Sequence, residues 1–131
     1  MHDNKQTVRQ LFEHAFNRDA AAIDTLAHAD YAPELRKVIE LLRGAFPDLR
    51  YTIEELVAED DRVAVRWHWT GTHTGVFRGV APTRKSVTNS GAGIFRLRDG
   101  RIAGASIETD RLGFAQALGV APGPATLFPA S

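Results

Sequence analysis

The chain has 131 residues, 44% of them hydrophobic, with 16 basic and 16 acidic side chains that cancel and no cysteine. That length suits one domain, residues 1–131, with a core and room for a cavity. The cysteine count excludes disulfides, thiolate metal ligands and cysteine nucleophiles, and balanced charge without a long block of one sign argues against a nucleic-acid partner.

Residues 4–17 place Val8, Leu11, Phe12, Ala15 and Phe16 at helical spacing, which predicts a first helix broken at Asn17-Arg18. Asp19 can cap a short second helix running to about His28, with Ile23 and Leu26 inward. Pro33 suits the first turn of a third helix with the stripe Leu35, Val38, Ile39, Leu42 and Phe46. From Leu49 the period changes to two. Strands are expected at Tyr51–Ala58, Arg62–Thr72, Arg84–Leu97 and Arg101–Thr109, with turns at Glu59-Asp60-Asp61 and Asp99-Gly100 and a loop at Gly75–Thr83. DRLGFAQALG, from Asp110, reads as a short helix or turn, and the proline-rich tail, about 121–131, as extended. Helices first and an antiparallel sheet second predict an α+β domain with the helices on one sheet face. No stretch approaches the ~18 apolar residues of a membrane span, and the start, MHDNKQTVRQ, lacks an apolar leader, so the expectation is a cytoplasmic protein with no membrane partner.

The segments VRQLFEHAFNRDAAAIDTL, LRGAFPDLRYTIEELVAEDDRVAVRWHWTGTHTGVFRGVAPTRKSV, IFRLRDGRI and DRLGFAQALGV run in order over about residues 8–120. In that order the chain resembles the SnoaL-like polyketide cyclase and ester cyclase family of the NTF2-like superfamily. The resemblance implies a cone, a curved antiparallel sheet wrapped over three N-terminal helices with an internal pocket. It also implies acid–base chemistry without a cofactor on a small hydrophobic or aromatic metabolite, and a homodimer formed through the sheet. Two departures stand out. Gly104-Ala105-Ser106-Ile107 replaces the family's histidine- and aspartate-bearing strand end, and Tyr31-Ala32 replaces a longer polar loop.

The stretch RVAVRWHWTGTHTG, residues 62–75, is the densest source of candidate chemistry. Alternation puts Arg66, His68, Thr70 and Thr72 on one face and Val65, Trp67, Trp69 and His73 on the other. If the polar face lines the pocket, His68 is a general base and Arg66 a clamp for an enolate or carboxylate; if the indoles do, they sandwich an aromatic ligand and His68 sits at an interface. The polar-lined pocket is the reading adopted. Glu108 is either exposed or a relocated acid–base group that a bulge aims inward, and Asp110 is either catalytic or the cap of the C-terminal helix. Asn89 can donate to a substrate carbonyl. Gly91 and Gly93 in a strand interior suggest a bulge or a ligand pressed against the backbone. Tyr31 covers the pocket rim, while Phe12 and Phe16 line a ligand box or belong to the core. The five histidines form no metal-binding motif, so no metal is expected. The functional expectation is a cofactor-independent cyclase or isomerase working on a polyketide-like carbonyl compound. The alternatives are an epoxide-opening hydrolase of the same fold and a non-catalytic, dimeric binding protein.

Overall fold

Asp3 opens the first helix: its carboxylate accepts from the Gln6 amide and caps α1 (Asn4–Gln10). The helix runs on into a wider π-helical turn, Leu11–Phe16, in which Leu11, Phe12, Ala15 and Phe16 are all buried. The computed structural model describes residues 3–123, so the expected extended tail lies largely outside the described residues. Asn17 does more than break the helix. Its amide accepts from the Tyr51 N–H at 2.6 Å and donates to the Tyr51 carbonyl at 3.0 Å, standing in for a neighbouring strand. Asp19 caps a 3₁₀ turn (Ala20–Ala22) that leads into α2 (Ile23–Leu26), and α3 (Ala32–Ala45) follows with Pro33 in its first turn.

Four strands, β1 (Arg50–Glu59), β2 (Arg62–Thr72), β3 (Ser86–Arg98) and β4 (Arg101–Thr109), form one antiparallel sheet in sequence order. Asp99 and Gly100 both adopt positive φ, 53° and 78°, as a two-residue hairpin turn of the Asp-Gly kind requires. Shifts in register between Ile53 and Glu55 and between Arg96 and Leu97 mark irregularities of the kind that bends a sheet. The fold is therefore the expected α+β arrangement, with the helices on one face. Strand β3 begins at Ser86, two residues later than expected, because Arg84 takes a positive φ of 59°.

The core lies between the helices and the inward-facing residues Val63, Val65, Trp67, Trp69, Val87 and Phe95. Phe12 packs on Phe16, Tyr51, Trp67 and Phe95 with ring centroids 5.1–5.7 Å apart. A second aromatic group joins Phe46, Trp69, Phe77 and Phe114, the last on α4 (Arg111–Leu118). Residues GTHTG, 71–75, clip the end of β2 to the end of α3. Thr74 and Gly75 donate to the Ala45 carbonyl at 3.0 Å, and a side chain at 75 would collide with the Gly44 carbonyl oxygen.

Candidate functional site

The sheet has two faces of opposite character, and the twisted register through β2 decides which residues share each. Cross-strand pairing of Trp67 with Gly91, Trp69 with Asn89 and Gly93 with Ile107 puts these six on the helix-facing side. Arg66, His68, Ala92, Ser106 and Glu108 fall on the other. The polar-lined pocket expected from sequence is thus overturned: the indoles point inward, only 4% and 3% exposed, and Arg66 and His68 point away from the helices.

On the outer face the carboxylate of Glu54 lies between two neighbours. One oxygen meets His68 Nδ1 at 2.7 Å, the other pairs with Arg66, and Arg66 also reaches Glu55 at 2.6 Å. The His68 hydrogen bond, with the Arg66 charge, holds the Glu54 carboxyl below its ordinary value. Alternation from Thr52, which pairs with His68, already carries Glu54 to this face, and the irregularity adds Glu55, which pairs with Arg66. Arg66 is consequently saturated by two carboxylates and is not a free clamp. Beside this network lies a hollow of about 440 Å³ with a floor of small side chains, Ala64, Ala92 and Ser106, and sides that include Val57, Ile94 and Glu108.

Glu108 does not turn inward. Pairing from Gly104 with Arg96 to Thr109 with Gly91 is unbroken, and Glu108 is exposed opposite Ala92. The relocated inward carboxylate is excluded, and Ile107 occupies the helix-facing position. Asp110 is the cap of α4: its Oδ1 accepts from the Gly113 amide at 2.9 Å. A side chain at 113 would collide with that carboxylate, which accounts for the spacing of aspartate and glycine in DRLG.

The glycines of β3 have a cause that neither expectation named. Pairing with β2 is regular throughout, so there is no bulge at 91–93. A Cβ built on Gly91 would lie 2.7 Å from Trp67 Cζ2, and one on Gly93 would lie 3.0 Å from Ile107 Cγ1 and 3.5 Å from Trp67 Cη2. The indole of Trp67 fills the space these residues leave bare.

Helix cover on this face ends part-way along β4. Ile102 is 0% exposed, whereas Ile107, on the same face, is 42% exposed and Thr109 is open to solvent. Asn89, half-buried next to Trp69, has an Oδ1 that is shielded from solvent and without a hydrogen-bond partner among the described residues. Asn89, Ile107 and Thr109 therefore form a partly uncovered floor at the edge of the buried indoles of Trp67 and Trp69, with one unpaired acceptor, the Asn89 Oδ1. Of the other expected ligand contacts, Phe12 and Phe16 are core. Tyr31 is half-buried at the start of α3, and its hydroxyl pKa is raised, first by burial and then by Glu34.

His73 is wholly buried, 0% exposed, packed on Phe46 at 5.3 Å. Its Nδ1 accepts from the Thr83 N–H at 3.1 Å, which makes Nε2 the protonated nitrogen of the neutral ring, and Nε2 has no partner among the described residues. The inward parity shared with Trp69 was the available signal.

The SnoaL-like polyketide cyclase model matches residues 6–118, most of the chain. The protein belongs to the SnoaL-like polyketide cyclase family. No curated protein sequence matches it significantly. Solved structures do. IdmH from Streptomyces antibioticus, named as a candidate polyketide cyclase, is 27% identical, with a TM-score of 0.79 over 91% of this chain and 100% of that one. AclR from Streptomyces galilaeus, named as a candidate hydroxylase, is 28% identical, with a TM-score of 0.85 over 98% and 93%. TsrD from Streptomyces laurentii is 26% identical, with a TM-score of 0.82 over 89% and 98%. This SnoaL-like chain has the NTF2-like fold, and membership supports a cyclase-type function. No helix among the described residues is long and apolar enough to cross a membrane.

Proposed function

We propose that this SnoaL-like protein is a cofactor-independent cyclase that binds a flat, hydrophobic carbonyl metabolite on the helix-facing floor between Trp69 and Ile107. The observation that carries this reading is the conjunction of an apolar edge where helix cover ends at Ile107, two buried indoles behind it and an Asn89 Oδ1 without a partner among the described residues. The buried indoles of Trp67 and Trp69 back this edge with a rigid apolar layer. The Asn89 Oδ1 is an acceptor and takes the hydrogen bond of a substrate hydroxyl or enol. The Nδ2 of the same amide donates to a substrate carbonyl and stabilises the enolate oxygen that forms when solvent water at the uncovered edge takes a proton from the adjacent carbon. Folding a flexible chain against a rigid wall supplies the remainder of the rate, since a well-oriented intramolecular reaction gains effective molarities of ~10⁵–10⁸ M. β4 brings Ile107 to this floor and keeps Glu108 on the far side, so ring closure here relies on positioning and carbonyl polarisation more than on a strand-borne carboxylate.

The outer hollow fits a second role within the same reading, as the seat of a second copy of the chain. Tryptophans do not motivate it, being inward; Ile94 (48% exposed) and Val57 do.

Trp67 and Trp69 are the two tryptophans of the chain, so intrinsic fluorescence reports on this floor. Titration with 2-acetylnaphthalene should quench it saturably in the wild type, and Asn89→Leu should weaken binding about tenfold, the loss of one hydrogen bond to a desolvated carbonyl. Absence of saturable quenching would refute the site. Binding without ring closure of any linear polyketone tested would favour the non-catalytic binding protein.

A further inference from the structure

We infer that Gly91 is a specificity-determining residue: by leaving β3 bare it lets Trp67 fill the space beside it, and so sets the largest ring system the floor admits. The inference rests on the proposed ligand floor and deepens it. Gly91 stands directly opposite Trp67 in the β2–β3 ladder, a position from which an ordinary side chain would meet its cross-strand neighbour. A Cβ there would be 2.7 Å from Cζ2 and 2.9 Å from Cε2 of the indole, closer than carbon atoms pack. It would also lie 3.0 Å from the Glu108 carbonyl oxygen, so the strand on the other side leaves no room for the methyl group to move away. The indole must yield instead. Behind it stands Phe12, fully buried and 5.1 Å away between ring centroids, in a packed core that has no space to receive it. The direction left is along the sheet surface, towards Ile107, where helix cover ends. A displaced Trp67 therefore intrudes on the floor itself. Gly93 supports the same arrangement less directly, its Cβ site being crowded first by Ile107 at 3.0 Å and only then by the indole at 3.5 Å.

Gly91 touches no substrate in this account. It is a positioning residue that acts through Trp67, and its signature is a change in ligand-size preference, not a uniform loss. The test uses two soluble flat probes, 1,2-naphthoquinone-4-sulfonate and anthraquinone-2-sulfonate, titrated by calorimetry into the wild-type chain, Gly91→Ala, and the double variant Gly91→Ala with Trp67→Phe. The wild type should bind both. Gly91→Ala should lose the three-ring probe by tenfold or more while losing the two-ring probe by less than threefold. The double variant, in which a smaller ring clears the added methyl, should recover the three-ring probe, and this comparison stands even where Gly91→Ala alone folds poorly. Equal losses for the two probes in Gly91→Ala, or a double variant that folds but does not recover three-ring binding, would overturn the inference while leaving the ligand floor in place. Failure of the wild type to bind either probe would overturn both.

Discussion

His73 Nδ1 accepts the backbone N–H of Thr83 at 3.1 Å, tying the end of β2 to the far side of the loop that precedes β3. With His73 also donating its own amide to the Lys85 carbonyl at 2.9 Å, and the Arg84 amide donating back at 2.8 Å, one residue closes this loop. The buried imidazole is thus a structural centre, and the partly exposed one, His68, belongs to a surface network.

The two histidines should therefore differ in what they contribute to stability. His73→Ala leaves the Thr83 amide without its acceptor and opens a gap beside Phe46, for a cost of at least ~1–3 kcal/mol in chemical denaturation. His68→Ala should change the melting temperature little, because a pair on an open sheet surface contributes little. It should, however, let the Glu54 carboxyl titrate closer to the ordinary glutamate value of ~4.3, a shift that carboxyl-carbon NMR would follow.

Asp110 should prove to be a cap. Asp110→Ala should cost ~0.5–2 kcal/mol, and Asp110→Ser, which keeps an acceptor, should recover most of it. Gly113→Ala should be as harmful as Asp110→Ala although it adds only a methyl group, since that methyl displaces the capping carboxylate. Full stability in Asp110→Ala would return the residue to the list of catalytic candidates.

Asp48 makes stability pH-dependent. Its carboxylate accepts the Thr72 amide and the Thr72 hydroxyl, both at 2.7 Å, and the first of these bonds is the main reason its pKa lies below the usual aspartate value. A folded-state pKa below the unfolded ~3.9 means that the contribution is complete above that value and is lost as pH falls through the folded pKa. Asp48→Ala should accordingly melt below the wild type at neutral pH, with the gap narrowing from about pH 4 downward. A gap constant from neutral to strongly acidic pH would contradict the assignment.

The outer hollow should be where two chains meet. Ile94→Arg places a charge opposite Ser106 on its floor, and sedimentation at tens of micromolar should change from dimer to monomer with the fold intact. A wild-type monomer under the same conditions would exclude this interface.

Periodicity and turn chemistry were enough to read the order of helices and strands, the Asp99-Gly100 hairpin and the partition of 62–73 into two faces. These are local properties: a period of two or 3.6 and a residue that tolerates positive φ carry the same meaning in any fold. The family, too, was legible from motifs such as GTHTG and DRLG, whose glycines answer to close approaches at Gly44 and Asp110. What the tertiary structure alone decided is which face meets the helices. Parity says that Trp67 and His68 part company, but only burial of the indoles against Phe12 and Phe46 says that the histidine goes outward. The irregularity that brings Glu55 beside Arg66, and the bare backbone at Gly91 that receives Trp67, depend on contacts between residues 11 and 24 positions apart in the chain. No local pattern encodes such contacts, because they exist only once the strands have paired.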